Sequence, residues 1–121
     1  MAKDIQPVQL PDGYVQKVQL LDGWVALGSA DNALATATKA AEAAKSHYIT
    51  AIVASYSTAK TGLLQIKDGA AVIAEHHIVN SDMITLPTPI KITAGNAVSA
   101  ELVASGTAGQ TGKVNLIGYT V

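Results

Sequence analysis

From residue 32 to residue 121, apolar and polar positions alternate in short runs, and turn-forming residues interrupt them at intervals of about 8–12 residues. A period of two marks a half-buried strand, because successive side chains point to opposite sides of a sheet. Residues 32–39 alternate small apolar residues with threonine. Residues 47–57 are rich in β-branched and aromatic side chains and read as a long central strand. Residues 63–67 form another, and Asp68-Gly69 turns the chain into a run at 72–79. Short pieces at 83–86 and 90–93 surround Pro87 and Pro89, which suit an edge or a corner because proline has no N–H for a ladder. Ala94-Gly95-Asn96 turns into a run at 97–104, where Val98, Ala100 and Leu102 alternate with Ser99, Glu101 and Val103. A loop with three glycines at 105–112 leads to a closing strand at 113–121. Residues 40–45 favour helix by propensity but are too few to hold one, so a loop or single turn is expected.

Seven or eight short strands at this spacing predict an all-β fold, and a jelly-roll-like antiparallel β-sandwich fits best. The expected core is Ile49, Ala51, Val53, Leu64, Ile66, Val72, Ala74, Val98, Ala100, Leu102, Val114 and Leu116. Residues 47–57 are apolar on both faces, which leaves their inward parity open and points to a second surface covered by a partner.

The first 28 residues behave differently. Val8-Gln9-Leu10-Pro11-Asp12-Gly13-Tyr14-Val15 returns ten residues later as Val18-Gln19-Leu20-Leu21-Asp22-Gly23-Trp24-Val25, with six of eight positions identical. Each copy reads as a short β segment, an Asp-Gly turn, then an aromatic and a valine. The chain therefore divides into an N-terminal arm or hairpin at 1–28 and a sandwich at 29–121. One reading packs the first part on its own domain. The other makes it an extended arm that grips a neighbour through Val8, Leu10, Tyr14, Val18, Leu20, Trp24 and Val25, since Trp and Tyr are enriched at interface hot spots.

Composition sharpens this. Hydrophobic residues make up 49% of the 121 and charged residues 14%, so a small domain has more apolar surface than it can bury alone. The net charge is −1, arginine is absent, and the eight lysines are scattered, which argues against nucleic-acid binding. No stretch approaches the ~20 apolar residues of a membrane span. The start lacks the apolar run of a secretory signal, so the chain is expected to work in the cytoplasm of its producing cell or to leave it inside a larger particle. With no cysteine, disulfides and thiolate metal sites are excluded.

Catalytic patterns are missing. His76 and His77 are adjacent, so on a strand they face opposite ways. Glu75 and His77 share a face, and His47 could approach from another strand, but exposed side chains on a sandwich explain all three more simply than a metal site. The paired histidines of metal-binding cupins are absent. Residues 105–112 lack the Gly-Lys-Ser/Thr ending of a phosphate loop. Nothing singles out two carboxylates among Asp68, Glu75, Asp82 and Glu101. No enzyme activity, metal or cofactor is expected.

Residues 45–50 (Lys-Ser-His-Tyr-Ile-Thr), 64–69 (Leu-Gln-Ile-Lys-Asp-Gly), 89–96 (Pro-Ile-Lys-Ile-Thr-Ala-Gly-Asn) and 112–119 (Gly-Lys-Val-Asn-Leu-Ile-Gly-Tyr) give the chain from about residue 32 onward a resemblance to phage capsid decoration, or cement, proteins of the jelly-roll type. The resemblance implies a virion structural protein on the outer capsid surface, assembled in the host cytoplasm. Its implied partners are the major capsid protein and further copies of itself, a trimer being favoured over a dimer because three-fold sites are common binding places for such proteins. The alternative is a tail- or head-fibre domain that binds a host receptor or glycan.

Overall fold

A computed structural model describes residues 22–121 and, as backbone alone, the strands β1 (Val8–Gln9) and β2 (Val15–Gln16), which pair antiparallel. Eight further strands follow: β3 (Asp22–Asp31), β4 (Ala35–Lys39), β5 (His47–Tyr56), β6 (Thr61–Asp68), β7 (Ala71–Val79), β8 (Ser81–Lys91), β9 (Val98–Leu102) and β10 (Thr111–Thr120). They form two four-stranded antiparallel sheets, ordered β3-β10-β5-β8 and β4-β9-β6-β7. The pairing is nested: β3 with β10, β4 with β9, β5 with β8, β6 with β7. One long hairpin rolled up on itself produces that order, and it is the jelly roll. The chain is thus an all-β jelly-roll sandwich, as the alternation predicts.

The expected boundary at residue 28 falls inside a strand. β3 runs unbroken from Asp22 to Asp31 and pairs with β10 along its whole length, so residues 22–28 belong to the sandwich. Gly28 permits their close approach to β4, since a methyl group in its place would overlap the Thr36 carbonyl. Hydrophobic periodicity could not separate 22–28 from the preceding residues, because the internal repeat carries the same letters across the boundary.

The core lies between the sheets. Ile49, Leu64, Ile66, Val98, Ala100, Leu102, Val114 and Leu116 are buried as expected, and Ala74 packs at the core margin. Ala51, Val53 and Val72 are not in it. A bulge lies between Ile49 and Ala51, where the register to both neighbouring strands shifts. An extra residue reverses the parity of everything after it. Ile49 is therefore buried together with Ile52, Ala54 and Tyr56, while Ala51 and Val53 turn outward. A similar shift between Ile66 and Lys67 leaves Val72 and Ile73 exposed. Tyr56 donates its hydroxyl to the Val103 carbonyl at 2.8 Å, and burial pushes its phenol above the ordinary range.

The pieces expected at 83–86 and 90–93 are one edge strand, β8, that carries both Pro87 and Pro89. Residues 40–45 form a turn, closed by Lys45 N–H to the Glu42 carbonyl at 3.1 Å.

Candidate interface

The two sheets present opposite kinds of outer face. On β4-β9-β6-β7, the rows read across the strands are Thr36–Glu101–Gln65–Glu75 and Thr38–Ser99–Lys67–Val72. Seven of these eight residues are polar. Lys67 pairs with Glu101 at 2.9 Å, and Gln65 Nε2 donates to Glu75 at 2.7 Å. This is the solvated face that an antiparallel sheet ordinarily shows.

The face of β3-β10-β5-β8 breaks that rule. Its two central rows are Val25–Ile117–Ala51–Thr85 and Leu27–Asn115–Val53–Met83. Six of these eight are apolar, and Val25, Leu27 and Met83 are 60%, 72% and 67% exposed. Four strands about 4.8 Å apart make the band about 14 Å wide. A polar row, Ser29–Lys113–Ser55–Ser81, borders it on one side. On the other lies Gly23–Tyr119–Tyr48–Lys91, in which the two tyrosine rings stack 5.0 Å apart and nearly parallel. None of the ion pairs among the described residues lies on this face. The band exists because the β5 bulge turns Ala51 and Val53 outward, beside residues of β3 and β10 that are outward by simple alternation. An aliphatic band with a polar rim suits an apolar protein surface, which needs shape and dry contact and no directional hydrogen bonds.

Of the contact residues expected from the sequence, Val25 stands on this band. Trp24 does not. It turns inward against the core, its Nε1–H donating to Thr120 Oγ1 at 2.9 Å and its ring lying edge-on to His47 at 5.7 Å. It caps its own sandwich, seated over Gly118, where a Cβ would come within 3.0 Å of the indole. Leu10, Tyr14, Val18 and Leu20 lie outside the described residues, and of Val8 only the backbone is described. Leu27, Val53, Ile117 and Met83 are contact candidates that alternation missed; for Val53 the signal was the run at 47–57, apolar on both faces, and the other three become visible only through their strand register.

His47 does not approach Glu75 and His77. It is fully buried in β5, where Nε2 meets the Ala40 carbonyl at 2.8 Å and Nδ1 meets Thr120 Oγ1 at 2.7 Å. No group of three His, Cys, Asp or Glu residues able to hold a metal is found among the described residues.

At the opposite margin, β7 and β8 splay apart and leave a cleft of about 190 Å³ between the sheets. Its walls are apolar, with Ile52, Leu64, Ile66, Ile84 and Leu86 among them, and Glu75 and His76 stand at its mouth. His76 Nε2 and Asp82 Oδ2 bridge the sheets there at 2.9 Å.

No protein-family profile matches the chain, and no curated protein matches it. Among solved structures, it is similar to the CBM36-1 domain of a multidomain xylanase from the hindgut metagenome of Trinervitermes trinervoides, at 11% identity over 99% of this chain and 85% of that one, with a TM-score of 0.41. It is also similar to a carbohydrate-binding module, CBM36, in complex with calcium and xylotriose, at 12% identity over 96% and 85%, with a TM-score of 0.39. A third is CsCBM6-3 from Clostridium stercorarium in complex with cellobiose, at 18% identity over 100% and 82%, with a TM-score of 0.35. At these scores the likeness carries no inference about this chain, whose jelly roll rests on its own strand order.

Proposed function

We propose that this chain is a non-catalytic docking module that attaches to a protein surface through the outer face of β3-β10-β5-β8, and that the surface is the outside of a phage capsid. In that reading it is a decoration protein, its partner is the major capsid protein, and its place is the virion exterior. The aliphatic band across all four strands carries the proposal: among the described residues it is the broad surface of the sandwich that water does not suit. The residues resembling decoration proteins supply the choice of a capsid.

The test is co-sedimentation with undecorated capsids of the source phage. A Leu27→Lys/Met83→Lys double variant places two charges in the band at exposed positions, so its melting temperature should match that of the unaltered chain. Its affinity for capsids should fall at least about tenfold, the equivalent of about 1.4 kcal/mol. Unaltered binding by the folded double variant would remove the band as the contact.

A glycan-binding reading rests on one observation, the stacked Tyr48–Tyr119 pair on the same face. These rings lean on each other, which leaves one face of each for a sugar to stack on. This second reading predicts polysaccharide binding that Tyr119→Ala abolishes and the double lysine variant retains.

A further inference from the structure

Sheet edges that stay open present unpaired N–H and C=O groups, and proteins guard them with proline, lysine, bulges or short length. The sandwich has four edge strands. β4 is five residues long, β8 carries two prolines, and β3 lies against β4 through the Gly28–Thr36 contact. Among the described residues, β7 is the edge with the fewest guards. It is nine residues long, contains no proline or lysine, and exposes Val72, Ile73 and Val79. Its one bulge lies at the start, which leaves 74–79 in regular register.

We infer that β7 pairs antiparallel with β7 of a second copy of this chain, about a two-fold axis at His76. Hydrogen-bond complementarity and the avoidance of facing carboxylates select both the occupant and the register. Glu75 and His77 lie on the outer side of β7, opposite Gln65 and Leu63, while His76 and Ala74 lie on the inner side. A register centred on Glu75 would set two carboxylates directly opposite each other, which is destabilising. Moving the centre by one residue places Glu75 opposite His77 of the second copy and His77 opposite Glu75 of the second copy. Two equivalent hydrogen-bonded pairs then form, as an isologous contact requires. Gln65 occupies Glu75 Oε2 and leaves Oε1 to accept. The two β4-β9-β6-β7 sheets become one eight-stranded sheet. Because the axis is normal to that sheet, both copies turn their β3-β10-β5-β8 faces to the same side.

The chain contains no cysteine, so a single introduced thiol can form a disulfide only with a second copy. His76→Cys places the two sulfurs on directly opposed residues, whose Cα atoms are about 4.5–5.5 Å apart in such a pair, within disulfide reach. Mild oxidation should convert this variant to a covalent dimer. Glu75→Cys, whose copies are offset along the strands, should remain monomeric on a non-reducing gel. A second arm mixes Glu75→Cys with His77→Cys: the mixture should yield a heterodimeric disulfide that neither variant forms alone. Sedimentation velocity of the unaltered chain should show a reversible dimer that Val79→Lys weakens at least about tenfold. If the unaltered chain sediments as a monomer at about 100 µM, well above the dissociation constants of stable interfaces, or if His76→Cys cross-links no faster than Glu75→Cys, the pairing is wrong.

Discussion

Thr120 Oγ1 accepts the Trp24 N–H and meets His47 Nδ1, and both contacts are removed from bulk water. The Ala40 carbonyl can only accept, so His47 carries hydrogen on Nε2 and the Thr120 hydroxyl donates to Nδ1. Thr120→Val preserves the shape and leaves two polar groups without partners. The expected cost is about 2–6 kcal/mol, at about 1–3 for each orphaned group. Guanidinium unfolding followed by the fluorescence of the sole tryptophan reads it directly. Asp68 acts at a different place, accepting from Thr93 N–H, Thr93 Oγ1 and Asn96 Nδ2 at 2.7–3.0 Å and so tying the β6–β7 turn to the segment before β9. Burial pushes its carboxyl up, but the three hydrogen bonds outweigh it and hold the group below the usual carboxylate range. A carboxyl lowered in the folded state contributes stability above its unfolded value, near 4, and loses that contribution as the pH falls through the folded value. Urea midpoints should therefore drop in that acid window, and Asp68→Asn should flatten this part of the profile. Neither role was legible in the sequence, where Asp68 is half of a turn signal and Thr120 is one threonine near a strand end.

At the level of elements, a chain that starts at Ser29 does more than remove an arm. It deletes Asp22 to Gly28, and with them seven of the ten register pairs that join β3 to β10. It also uncovers the core margin under Trp24. Its thermal transition should be lost or fall by tens of degrees, at about 4–8 °C for each kcal/mol in a domain of this size. Loss of capsid binding in that variant would then report unfolding, so substitutions on the outer face are the cleaner probe. The strands themselves were legible because alternation is a local property. Their parity after residue 50 was not, because a bulge leaves no letter of its own in the sequence. That one extra residue moves Ile52 into the core and Val53 onto the face, which separates the expected core from the observed one and builds the candidate interface.

At the scale of the molecule, strand count and spacing were enough to reach a sandwich, and the nested order then made it a jelly roll. The order itself could not be read from local pattern, since it depends on partners such as Trp24 and Thr120 that lie 96 residues apart. The same arrangement has a consequence for synthesis. β10, the last of these strands to be made, sits between β3 and β5, and neither of those can complete its sheet before residues 111–120 emerge. A nascent chain thus carries β3 with its ladder unmet and the Trp24 indole without its threonine, and assembles this sheet only at the close of translation of the domain. Until then the aliphatic stretches of β3 and β5 are open to the ribosome surface and to chaperones, whereas β4, β6, β7 and β9 can already pair, so this sheet is the half of the sandwich acquired last.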